Sequence, residues 1–160
     1  MDILFREEQV EKIAVKLNIS KQNVNLILYN YSTYLQNKLR SGNTIKVLNI
    51  CYVGNPNEPK DANRETLGFI ATELSMLSNM GSTTILRVLL TLEELIIKDI
   101  KSGIGYCIRG LIRIRCIRDD NGEYHVRIRK STNFNGMPVR IITLNSFRRR
   151  VDMCNAGEDS

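Results

Sequence analysis

Residues 6–18 carry Val10, Ile13, Ala14 and Leu17 at helical spacing. Asn18-Ile19-Ser20 breaks that pattern. Ser20 suits an N-cap, because its hydroxyl can accept from a free amide of the next turn. The spacing then predicts a longer helix over 21–40, with Val24, Ile27, Leu28, Tyr31, Leu35 and Leu39 on one face. Ser41-Gly42 ends it, with glycine in the left-handed position that closes many helices. Residues 44–53, TIKVLNICYV, are rich in β-branched residues and predict two short strands around Asn49. Residues 54–65, GNPNEPKDANRE, have the composition of a linker.

The same order then recurs. A helix is predicted over 66–77, with Leu67, Ile70, Ala71 and Leu74. A break at 78–81 leads to Ser82 or Thr83 as N-cap and to a long helix over 84–101 that ends at Ser102-Gly103. Residues 104–117, IGYCIRGLIRIRCI, read as strand. Aligning Ile13-Ala14 with Ile70-Ala71, and KLRSGNTIKVLNICYV with DIKSGIGYCIRGLIRI, gives an internal repeat with a four-residue insertion before the second long helix. The expected units are a first copy over 1–53, a linker over 54–65, a second copy over 66–152 and a tail over 153–160.

The second copy continues into IRIRCIRDDNGEYHVRIR, residues 112–129. Asp120-Asn121-Gly122 fits a three-residue hairpin loop with glycine in the left-handed position. That register sets Ile114 opposite Ile128 and Cys116 opposite Val126. It also sets Arg113 opposite Arg129 and Arg115 opposite Arg127, so one face is apolar and the other basic. Directly opposed like charges are destabilising, which points to an anionic partner. Arginine stems also cover apolar surface well, so a solvated arginine face is the simpler alternative. A further strand, PVRIITL (138–144), leads to a short C-terminal helix capped by Asn145 or Ser146 and holding Phe147 and Arg148-Arg149-Arg150.

Charge sharpens this picture. The net charge is +6, with 23 Lys and Arg against 17 Asp and Glu. Residues 104–150 alone hold 11 basic and 3 acidic residues, a net of +8, so the basic character belongs to the C-terminal third. The candidate anion- or partner-binding residues are Arg109, Arg113, Arg115, Arg118, Arg127, Arg129 and Lys130, with Arg148, Arg149 and Arg150.

Other chemistry is sparse. Cys51, Cys107, Cys116 and Cys154 form no C-x-x-C pair and show no zinc-site spacing, which predicts a reducing compartment. The start, MDILFREEQVEK, lacks the pattern of a signal peptide. ILRVLLTLEELIIKDI (85–100) is interrupted by Arg87, Glu93 and Glu94, as a buried amphipathic helix is and a membrane span is not. The single histidine, His125, has no nucleophile motif, Gly-rich phosphate loop or metal cluster beside it, so no enzyme, catalytic residue, metal or cofactor is expected. Tyr29, Tyr31 and Tyr34 suit helix packing or a subunit contact better than a base-stacking platform.

Two helices, a Ser-Gly turn, a short strand and then a glycine opening a β-ribbon resemble the HU/IHF family of DNA-bending proteins. The residues that carry the resemblance are the long helices ending at Gly42 and Gly103, GLIRI (110–114) and IITLNSFRRRV (141–151). The resemblance implies an α+β fold of two tandem copies, able to form an internal pseudo-dimer. The first copy has no arm, the second has a short one, and the DDNGE tip lacks the apolar wedge with which such proteins kink DNA. The chain is also similar to HU/IHF-like ring proteins of crAss-like bacteriophage tails. That resemblance implies a virion protein assembled in the host cytoplasm, a subunit of a cyclic ring near the portal that contacts its own copies and neighbouring tail or portal proteins. Contact with duplex DNA is compatible with it, and no membrane role is implied. The alternative is an architectural DNA-binding protein that uses the basic ribbon. A third possibility is an antagonist that pairs with a host HU-like subunit.

Overall fold

The computed structural model describes residues 6–54, 65–102, 106–108, 112–118, 120–122, 124–130 and 140–158. The fold is α+β. Its elements run α1 (Glu7–Leu17), α2 (Lys21–Arg40), β1 (Ile45–Val47), β2 (Cys51–Gly54), α3 (Leu67–Ser78), α4 (Ser82–Lys101), β3 (Tyr106–Ile108), β4 (Ile112–Arg118), β5 (Tyr124–Lys130), β6 (Arg140–Thr143) and α5 (Asn145–Glu158). The helices fall where the 3.6-residue period sets them, because each buries one apolar stripe. Val24, Ile27, Leu28, Tyr31, Leu35 and Leu39 of α2 are all in the core, as are Ile85, Val88, Leu89, Leu92, Ile96 and Ile100 of α4.

These two stripes match one another at a constant spacing of 61 residues, and so do the elements around them. Asn18 ends α1 and Asn79 ends α3, both in the left-handed conformation, at φ 53° and 57°. Three residues join the helices in each half, so the second half has no insertion before its long helix. Pairing Ile13-Ala14 with Ile70-Ala71 is therefore displaced by about one helical turn. A slip of four residues keeps the apolar face in phase, and the hydrophobic pattern could not expose it.

The strands repeat as well. β1 pairs with β2 through Ile45↔Val53, and β3 pairs with β4 through Tyr106↔Ile114, the same register moved by 61 residues. Each pair belongs to a three-stranded antiparallel sheet, ordered β1-β2-β6 and β3-β4-β5. In the second sheet the third strand is the next one along the chain. In the first it is β6, which arrives after the ribbon and pairs with β2 through Cys51↔Thr143 and Val53↔Ile141. Chain order alone puts this strand with the second half, but in the fold it closes the sheet of the first. The α5 helix that follows packs on α4 and β5, so the β6–α5 segment ties the two halves together.

Helix ends show which local signals acted. The Ser20 hydroxyl accepts from the Asn23 amide at 3.2 Å, and the Thr66 hydroxyl from the Phe69 amide at 3.1 Å. Gly42 has φ 82°, the conformation its C-terminal position requires. Gly81, rather than Ser82 or Thr83, caps α4, because the helix begins two residues earlier than the apolar spacing suggests. Likewise α5 starts at Asn145, with the Leu144 carbonyl accepting from the Arg148 amide at 3.2 Å. It continues to Glu158, through most of the segment read as a tail. Phe147 and Val151, one turn apart and fully buried, anchor it, and no proline interrupts 145–158.

Candidate functional site

The basic ribbon is built by β4 and β5. Its backbone pairs Arg113 with Arg129, Ile114 with Ile128, Arg115 with Arg127, Cys116 with Val126, Ile117 with His125 and Arg118 with Tyr124. Lys130 lies opposite Ile112. Opposed residues of an antiparallel pair share a face, so positions 113, 115, 127 and 129 fall together. Arg127 and Arg129 are exposed, Ile128 is half-buried and Ile114 is fully buried. At these four positions the apolar side chains turn inward and the basic ones outward. Gly122 has φ 83° at the turn, and Asp120 and Asn121 at the tip are exposed. Arg109, Asp119 and Glu123 lie outside the described residues, as does Gly103.

The three C-terminal arginines divide. Arg148 and Arg149 are exposed on α5. Arg150 instead donates to Glu93 Oε2 at 2.5 Å. The Glu93 side chain is 2% exposed and that of Arg150 43%. The other carboxylate oxygen of Glu93 accepts the Asn49 amide at 2.5 Å. Glu93 therefore joins α4 to the β1–β2 turn and to α5. In the sequence Glu93 reads only as a break in an apolar run. Its phase was the available signal: four residues after Leu89 and three before Ile96, it lies on the buried stripe, whereas Glu94 points to solvent.

A second polar anchor holds the same turn. The Tyr31 hydroxyl donates to the Lys46 carbonyl and accepts the Leu48 amide, both at 2.7 Å. Leu48 is at φ 49°, a conformation unfavourable for a side chain that size, and these bonds help fix it. Burial pushes the Tyr31 phenol well above its usual range. The three tyrosines of α2 do not form one surface. Tyr31 is buried, and Tyr29 is 43% exposed. Tyr34 donates to Glu65 at 2.7 Å, and Lys38 reaches the same carboxylate at 3.1 Å. Burial, then the bond to Glu65, raises the Tyr34 phenol.

Beside Tyr34 and Lys38 runs a cleft of about 400 Å3 whose walls include Asn30, Thr33, Asn37 and Leu77. Among the described residues no three His, Cys, Asp or Glu side chains cluster as metal ligands would. No helix among them is long and apolar enough to cross a membrane. Compared with known proteins, the chain matches no family model, no curated protein and no solved structure.

Proposed function

We propose that the chain is a structural virion protein of a tailed bacteriophage, built on two tandem HU/IHF-like copies folded as an internal pseudo-dimer. It assembles with copies of itself into a ring in the tail or portal-proximal region, beside neighbouring portal or tail proteins. It carries out no catalytic step and needs no cofactor. The repeated helix–helix–strand–strand unit, with one strand register in both halves, supports the tandem reading.

The observation that carries the functional reading is that one long ribbon stands among the described residues. A DNA clasp of the HU/IHF kind needs two arms and an apolar wedge at each tip. Here β2 and β6 are four residues each, while β4 and β5 are seven. The exposed tip is Asp120-Asn121, and a carboxylate there is repelled by phosphate. An outward basic face behind an acidic tip suits a protein neighbour with acidic groups. Reversing Arg115 and Arg127 to glutamate should block assembly while leaving the far-UV circular dichroism and melting temperature of the monomer unchanged. Normal assembly of that variant would refute the role given to the ribbon.

The exposure of Arg127, Arg129, Arg148 and Arg149 favours a second reading, an architectural DNA-binding protein. Fluorescence anisotropy with a short duplex across a salt series separates the two. Each phosphate neutralised adds roughly 0.9 to the slope of log affinity on log salt. The ring reading expects weak binding that modest salt removes. Sub-micromolar binding near physiological salt, with a slope of several phosphates, would favour the DNA-binding reading instead.

A further inference from the structure

The first half of the molecule supplies only two strands of its own sheet. Its third strand, β6, comes from the far end of the chain. Among the described residues, the partners that hold the β6–α5 unit, its receptor, lie in residues 1–130. The Leu144 amide donates to the Ile50 carbonyl at 2.9 Å, and Arg150 reaches Glu93 on α4. Phe147 and Val151 are fully buried in the core, and α5 packs on α4 and β5. Covalently, the unit is attached to its receptor only through residues 131–139. Nine residues can span up to ~30 Å when extended.

Every copy of the chain carries the same receptor and the same unit. The strand pairing, the ion pair and the apolar contacts are identical whether the unit closes its own sheet or a neighbour's. We infer that the β6–α5 unit is exchanged between copies, residues 140–158 of one copy closing the β1–β2 sheet of the next. This rests on the ring reading proposed above and adds a second contact between copies to that of the basic ribbon. Donor and receptor are different surfaces, so the contact is head-to-tail, and such a contact closes into a ring when the rotation per subunit permits. The exchange needs no surface beyond the one that already folds the monomer. A pair of strands alone is marginally stable in water, so an emptied β2 edge strongly favours refilling.

Cys51 and Thr143 face one another across β2 and β6. The neighbouring pair, Ile50 and Leu144, carries the hydrogen bond, so Cys51 and Thr143 occupy a non-hydrogen-bonded position. At such positions the Cα atoms lie about 4.5 Å apart, within disulfide range. The test is Thr143→Cys in the full chain, with Cys107, Cys116 and Cys154 changed to serine. The assembled protein is oxidised, denatured and run on a non-reducing gel, beside native mass spectrometry of the same sample. Exchange predicts covalent ladders reaching the copy number of the ring. A ring whose chains all run as monomers with an internal disulfide would overturn the exchange and leave the ring intact. A monomer with an internal disulfide would overturn both.

A second measurement covers a failure of the disulfide to form. Glu93→Arg and Arg150→Glu each place like charges at the latch, and each should lower the melting temperature alone. Refolded together, the two variants can restore Arg–Glu pairs only between copies. Exchange predicts that the mixture melts higher than either variant and forms mixed oligomers. A mixture that melts as the sum of its two components would overturn it.

Discussion

Replacing Arg150 by alanine tests the polar latch between the halves. The Glu93 carboxylate is 2% exposed, and Arg150 supplies its charged partner. Removing that partner leaves a buried anion with the Asn49 amide as its remaining bond, a loss typically worth about 3–5 kcal/mol. Arg150 itself is 43% exposed, so solvent already screens part of the attraction, and about 2–3 kcal/mol is the better expectation. For a chain this size, each kcal/mol moves the melting temperature by about 2–4 °C. The fall should therefore be about 4–12 °C. Urea denaturation followed by far-UV circular dichroism should show a lower midpoint with an unchanged slope. Arg148→Ala, two residues earlier on α5 at an exposed position with no acidic partner among the described residues, should stay within about 0.5 kcal/mol of the parent.

The asymmetry of burial adds a finer expectation. Glu93→Gln keeps an oxygen for the Asn49 amide and frees a guanidinium that water can reach, so it should cost less than Arg150→Ala. Combining the two should recover part of the loss, since no buried charge is then left alone. If Arg150→Ala proved no worse than Arg148→Ala, Glu93 would not hold α5, and the latch would be a crossing of side chains without energetic weight.

Three further outcomes follow from the same fold. Tyr31→Phe strips the part-buried Lys46 carbonyl and the buried Leu48 amide of their shared hydroxyl; with about 1–3 kcal/mol for the buried amide and about 1 kcal/mol for the carbonyl that water can partly reach, a loss of about 2–4 kcal/mol is expected by urea denaturation. Gly54→Ala would bring a Cβ within 2.6 Å of Thr44 Cβ and 2.7 Å of Thr44 Cα, and should destabilise by about 1–3 kcal/mol as the β1–β2 edge is pushed apart. Burial raises the Cys51 thiol from 9.0 to about 12. The folded chain therefore keeps that proton between those values while the unfolded chain loses it. Its share of stability is complete below pH 9 and is lost as pH rises towards 12. Melting temperatures should fall over that window, and Cys51→Ala should flatten the fall.

Much of this architecture was legible in the sequence. The periods of the long helices and of the ribbon are local, and the buried faces of α2, α4 and the β4–β5 pair follow from them. The hairpin register was legible too, because a three-residue loop with glycine at the left-handed position keeps both faces uniform and a two-residue loop would mix them. The partner of β6 was not. A four-residue strand with a half-buried pattern names no neighbour, and chain order suggests the nearer sheet. The repeat was visible while its alignment slipped by a turn, since helical periodicity repeats nearly every four residues. At the candidate site, the exposed arginines could be read from alternation. The commitment of Arg150 to Glu93 could not, because it joins residues 57 apart in sequence.

The central claim is that this chain builds a closed oligomer rather than gripping DNA as a monomer. The most direct test is native mass spectrometry of the full-length protein over a range of concentrations. The account predicts one dominant mass at a fixed integer multiple of the chain, with no open-ended series. A chain that stays monomeric at every concentration would contradict it.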